Sequence, residues 1–170
     1  NADIVATSTM VIQEASHNAI LRRAHALGKR VVAGGPFPTS YPERNSDADY
    51  IVAGEAELTL PQFLEDFVNG NPRRVYTGRD AAGRTEVEVT RNGKPTLVST
   101  PLPRWDLLDL GKYASAAIQY SRGCPFDCEF CDITQLFGRE PRTKTPEKML
   151  AELDALLDAG YEGSVFVVDD

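Results

Sequence analysis

Histidine occurs only twice in this chain of 170 residues, methionine twice, tryptophan once and cysteine three times. So few cysteines, in an odd number, exclude the disulfide framework that staples small secreted domains. No apolar run approaches the ~18 residues of a membrane-spanning helix, and nothing resembles a signal peptide or a lipidation site. Positive charge is also short: 18 Lys and Arg stand against 25 Asp and Glu, a formal net charge of −7. That balance argues against a surface for polyanions, so nucleic acid is not expected as a partner. A hydrophobic content of 42% is enough for a real core. These features together read as a soluble protein, and unpaired thiols suit the reducing cytoplasm. The chain opens on Asn1 without a methionine and stops at Asp170 directly after an apolar run, which reads as a segment of something longer.

All three cysteines fall in one short stretch, Cys124-Pro-Phe-Asp-Cys128-Glu-Phe-Cys131. Three readings compete for it. A disulfide would leave one thiol over, and cysteines this close make poor staples. A structural zinc site needs a fourth ligand, from His17, His25 or a carboxylate. An iron–sulfur cluster held by three thiolates, with one iron open to another ligand, needs only what is present. Gly123 and Pro125 free and fix the backbone on either side of Cys124, which suits a loop that wraps a compact centre. Asp127, Glu129 and Asp132 read as solvated loop charges, and Phe130 by itself as a core filler.

Around this loop the chain alternates strands and helices. Residues 3–8 are β-like, and Ile12, Ala15, Ala19, Ile20 and Leu27 suggest one face of a helix that ends at Gly28. A strand over 30–33 leads into a loop, 34–40, and a strand over 50–53 leads into a helix over 57–68. Single helices between short strands imply βαβ units and a parallel sheet, whose ligands lie at the carboxyl ends of the strands. Ser8 and the pair Gly34-Gly35 stand at two such ends. His17 and His25 read as packed or surface residues of the first helix.

From about residue 71 the texture changes. Residues 84–90 and 96–99 read as the arms of a hairpin around Asn92-Gly93. Pro101, Pro103 and Trp105 then form a stiff linker, with Trp105 either docking modules or packing. From Ala116 a second module starts: a strand to Tyr120, the cysteine loop, a helix opened by Pro146-Glu147, and a buried strand over 164–168. The helix face is read as Met149, Leu150, Leu153, Leu156 and Leu157. Such a unit opens a parallel barrel, with the loop at the carboxyl end of its first strand. The expected division is therefore 1–70, 71–115 and 116–170.

The Cys-x3-Cys-x2-Cys spacing with Phe130 before the third cysteine resembles the signature of radical S-adenosylmethionine enzymes. With Ser121-Arg122-Gly123 before it, and Gly138-Arg139-Glu140-Pro141-Arg142-Thr143-Lys144-Thr145-Pro146-Glu147 after it, the loop looks like the subgroup with an N-terminal cobalamin-binding domain. The hopanoid methylase branch is most similar. This resemblance implies an α/β fold made of the C-terminal part of a Rossmann or flavodoxin-like cobalamin domain, followed by the first β/α unit of a partial TIM barrel. It implies a four-iron, four-sulfur cluster on Cys124, Cys128 and Cys131, which cleaves S-adenosylmethionine to a 5′-deoxyadenosyl radical. The activity implied is methyl transfer from cobalamin to an unactivated carbon, with radical cyclisation, ring rearrangement or a non-catalytic cluster module as alternatives. Phe130, Asp169 and Asp170 are the implied S-adenosylmethionine contacts, and Arg139, Arg142 and Lys144 are read either as partners of its carboxylate or as solvated charges. Ser8, Gly34 and Gly35 resemble two elements of the cobalamin motif, whose histidine-bearing element is absent. Implied partners are a small-molecule substrate, lipid or tetrapyrrole, and an electron donor such as flavodoxin or ferredoxin.

Overall fold

The computed structural model describes residues 2–78 and 88–169, and the chain divides into two compact units, 1–95 and 96–170. In the first unit β1 (Ile4–Ser8), β2 (Arg30–Gly34), β3 (Tyr50–Val52) and β4 (Val75–Tyr76) form a parallel sheet in that order. The linking helices are α1 (Glu14–Ala26), α2 (Pro36–Ser40) and α3 (Ala56–Val68). Strand residues point alternately to the two faces, and each face has its own core. Leu21 and Ala24 of α1 pack with Val31, Ala33 and Ile51. Phe63 of α3 packs with Val32, Val52 and Tyr76, so helices cover both faces of the sheet.

Aromatic rings dominate the α3 face. Phe63 lies 5.2 Å from Tyr50, 5.4 Å from Phe67 and 5.5 Å from Tyr76, centroid to centroid. Tyr76 is fully buried, and its hydroxyl donates to Asp66 and accepts from the Arg73 N–H, which satisfies its polar end. Burial of side chains this size is worth about 1.5–3 kcal/mol each. That offsets the cost of Pro61, which sits inside α3 and cannot donate its helical hydrogen bond.

Three expectations for this unit are corrected. The buried stripe of α1 is His17, Leu21 and Ala24, while Ile12, Ile20 and Leu27 are exposed. Helical spacing fits both stripes, and the parallel sheet selects the one with the small Ala24 and the buried imidazole. The stretch after Gly34 contains a short helix, because Gly35 takes φ +90° and delivers Pro36 to the first helical position. Among the described residues the expected hairpin shows one antiparallel bridge, Val89 to Pro95, around the Asn92-Gly93 turn. Residues 84–87 of its first arm lie outside the described residues. Pro95 has no N–H to continue the ladder, so Thr96–Ser99 is not a strand.

In the second unit β5 (Ser115–Gln119) pairs in parallel with β8 (Ser164–Val168), and α5 (Pro146–Asp158) is the crossover. Between β5 and α5 the chain makes a two-residue antiparallel clasp, β6 (Ser121–Arg122) with β7 (Arg142–Thr143), and a short α4 (Ile133–Leu136). Thr145 caps α5 by accepting from the Lys148 N–H, ahead of Pro146 at the first helical position. The core is Ala116, Leu156 and Tyr161 with Trp105 and Leu110 packed on it, so Trp105 is a packing residue of its own unit. Leu150 and Leu157 point to solvent, and the buried side of α5 carries Glu152 with Leu156. Strand β8 is exposed along its whole length, contrary to its apolar sequence. It gains hydrogen bonds from β5, but its hydrophobic side chains remain uncovered in this chain.

His17 is fully buried, edge-on to Phe37, with neither ring nitrogen meeting a partner of good geometry among the described residues. Desolvation by burial holds its pKa below the ordinary 6.5, and the nearby Asn45 amide and Glu14 carboxylate offset only part of that. The unfolded chain therefore takes up a proton at higher pH than the folded one. Stability is fully present above about pH 6.5 and is lost as pH falls from there through the folded-state pKa. Urea unfolding across this range should show that loss, and a His17→Leu variant should flatten it; an unchanged slope would exclude His17 as the source.

Candidate functional site

Strand β5 delivers the chain to the cysteine loop, and β6–β7 clasps the loop shut. Three further bonds reinforce the clasp. The Lys144 N–H donates to the Tyr120 carbonyl at 2.9 Å, and Asp169, just past β8, accepts from the Tyr120 and Ser121 N–H groups, each at 2.9 Å. Gly123 sits inside the clasp at φ +97°, where a Cβ would stand 2.6 Å from the Glu140 carbonyl oxygen. Only glycine lets the outgoing and returning chains approach so closely.

Beyond Gly123, the Cys124 N–H donates to the Gly138 carbonyl at 3.2 Å and the Cys131 N–H to the Cys128 carbonyl at 3.0 Å. Arg139 pairs with Asp127 at 2.6 Å across the loop surface. Cys128 is exposed, Cys124 and Cys131 are half-buried, and all three are free thiols. The structure thus puts the thiols on one loop without drawing them to a common point. Among the described residues no three His, Cys, Asp or Glu side chains are close enough to hold a metal ion. The donor set still fits a soft metal centre, since three unpaired, solvent-accessible thiols are what iron–sulfur ligation requires.

Phe130 is 91% exposed, which removes its core-filling role. Asp170 lies outside the described residues. Arg142 and Lys144, which sequence leaves between cofactor contact and solvation, are both buried. Arg142 donates to the Phe137 carbonyl at 3.0 Å, inside the loop. Lys144 ends on Glu152, a residue that sequence reasoning passes over; a glutamate four residues before Leu156 on the same helix stripe was the available signal.

In the first unit Ser8, Gly34 and Gly35 do meet at the carboxyl edge of the sheet. Ser8 registers opposite Gly34, and a Cβ on Gly35 would lie 2.7 Å from the Ser8 hydroxyl and 2.8 Å from the Thr9 N–H. A Cβ on Gly34 would lie 3.3 Å from the Val52 carbonyl. Close backbone approach therefore accounts for both glycines. Thr39 ties this corner to the next strand: its hydroxyl donates to the Gly35 carbonyl at 2.7 Å and accepts from the Gly54 N–H at 2.9 Å. Thr39, Gly54 and Glu55 then line a cavity of about 590 Å³, with the Asn92-Gly93-Lys94 turn opposite. Glu55 is buried and lies 3.8 Å from the Lys94 ammonium. Its signal in the sequence was the glycine–glutamate pair directly after β3.

No family model matches the chain. Single relatives do. An uncharacterized methyltransferase of Synechocystis sp. is 43% identical over 171 residues, covering 99% of this chain. The hopanoid C-2 methylase of Rhodopseudomonas palustris is 37% identical over 169 residues, again 99% of this chain. This chain belongs to the cobalamin-type radical S-adenosylmethionine enzymes. Other members of that family among its relatives include the anaerobic magnesium-protoporphyrin IX monomethyl ester cyclase of Synechocystis sp., 30% identical over 72% of this chain. The chain spans 30% of the length of each of the first two relatives.

Replacing Gly123 with alanine tests the clasp. Its φ and the Glu140 carbonyl both oppose a Cβ, so Gly123→Ala should destabilise the second unit by more than about 1 kcal/mol. Thermal unfolding and metal uptake read the effect, and a variant as stable as wild type would show that the loop opens without cost.

Proposed function

We propose that the protein containing this chain is a radical S-adenosylmethionine C-methyltransferase. The observation that carries the reading is the loop itself: its three cysteines are the chain's only ones, they are unpaired, and they stand at the carboxyl end of a parallel strand. Parallel α/β folds bind ligands at that end. Cys124, Cys128 and Cys131 are the ligands of a four-iron, four-sulfur cluster, and Ser8, Gly34 and Gly35 border the cobalamin. When bound, the cluster supplies the electron that cleaves S-adenosylmethionine, and methylcobalamin supplies the methyl group.

The chain's own residues hold and orient these groups. The glycine-dependent clasp fixes the base of the loop, while Cys128 and Phe130 lie open to solvent on its outer turn. Phe130 is the candidate to stack on the adenine. Asp169 and Asp170 are the candidates for the amino group of S-adenosylmethionine; one carboxylate oxygen of Asp169 is engaged by the Tyr120 and Ser121 N–H groups. An apolar small molecule, a lipid or a tetrapyrrole, is the substrate class that the methylated compounds of the relatives suggest. No helix among the described residues is long and apolar enough to cross a membrane. A cyclase is the second reading, favoured by the relative that closes a ring on magnesium-protoporphyrin monomethyl ester.

Anaerobic reconstitution of the intact protein with iron and sulfide, followed by reduction with S-adenosylmethionine present, should release 5′-deoxyadenosine. Cys128→Ala should lose most of its iron and all of that product. A wild-type protein that binds a cluster yet leaves S-adenosylmethionine intact would exclude the radical enzyme, and undiminished iron in the variant would exclude the cysteine ligands.

A further inference from the structure

The clasp at the base of the cysteine loop is only two residues wide on each side, and a pairing that short is marginal by itself. Something else must keep the loop in place. Directly after β7 the chain buries Lys144, which is 7% exposed, against Glu152, which is 1% exposed. The ammonium donates to one carboxylate oxygen at 2.7 Å and lies 2.6 Å from the other, so it straddles the whole carboxylate. Its own N–H is the one that reaches back to Tyr120, at the end of β5. One residue therefore joins the start of the loop, the return of the loop and the crossover helix.

A buried ion pair is a poor way to gain stability, since the desolvation of two charges consumes most of their attraction and apolar replacements of similar volume are often as stable or more so. What such a pair can supply instead is directional specificity, since an ammonium held against both carboxylate oxygens is constrained in position by charge as well as by shape.

We infer that Lys144 and Glu152 are positioning residues for the metal centre on the cysteine loop, locking the loop's exit to α5 so that the three thiolates meet the cluster from fixed directions. The inference rests on the cluster reading above. It separates stability from positioning, and the double apolar variant Lys144→Met/Glu152→Leu exploits that separation. In the intact protein it should unfold at or above the wild-type temperature, yet lose iron to a chelator about tenfold faster, the usual scale for removing an outer-sphere support of a metal site. Its reduced cluster should also give a broadened electron paramagnetic resonance signal. Lys144→Met/Glu152→Gln, which removes both charges together and keeps the shape of the carboxylate side chain, should fall between the two proteins in iron loss and guards against a double variant that does not fold. If wild type binds iron and both variants release it at the wild-type rate with an unchanged signal, the positioning role is overturned and the cluster stands. If wild type takes up no iron at all, the cluster reading fails and the inference falls with it.

Discussion

A chain that leaves a strand to make a long loop must come back to that strand before it can enter the crossover helix, and the second unit is built around that closure. The return point is fixed from three directions. Backbone pairing joins β6 to β7, a side-chain carboxylate from beyond β8 takes two N–H groups at the end of β5, and Lys144 bonds both to Tyr120 and to α5. Each fixing point is small, and together they bracket a segment whose outer part, including Cys128, Phe126 and Phe130, is exposed. Hydrogen bonds are concentrated at the base and solvent exposure at the tip.

The first unit solves a different problem with similar means. Its carboxyl edge is drawn tight by glycines that let Ser8, Thr9 and Val52 approach the backbone, and by Thr39, whose hydroxyl is both donor and acceptor between neighbouring loops. This makes an edge of backbone and small polar groups beside a cavity, instead of one crowded with large side chains.

Much of this was legible in the residues. The β-branched runs at 30–33 and 50–52 marked their strands, Pro146 after Thr145 marked the start of α5, and the cysteine trio marked its own loop. Misreadings arose where two patterns fit equally. Ile12, Ile20 and Leu27 have helical spacing and look like a core face, but the buried stripe is the one with His17, which meets Phe37 of α2, and Ala24, which packs with Val31 and Ala33 of β2. Strand β4 is two residues long, too short for any periodicity to declare it. Glu152 was hidden for a different reason: a glutamate on a helix is ordinarily solvated, and nothing local says that Lys144, eight residues earlier, will be brought beneath it. The spacing of the three thiols was legible, but their directions were not, and among the described residues they do not converge.

Strand β8 bears on how this chain behaves by itself. Ser-Val-Phe-Val-Val is five residues without charge or proline, every one of them exposed, hydrogen-bonded along β5 in a sheet that has two strands among the described residues. Segments of that kind template intermolecular pairing and are what gatekeeper charges normally guard. Expressed as an isolated piece, the chain therefore carries a built-in nucleus for insoluble assemblies at 164–168, and that strand would be the first place to add a lysine for handling it in solution.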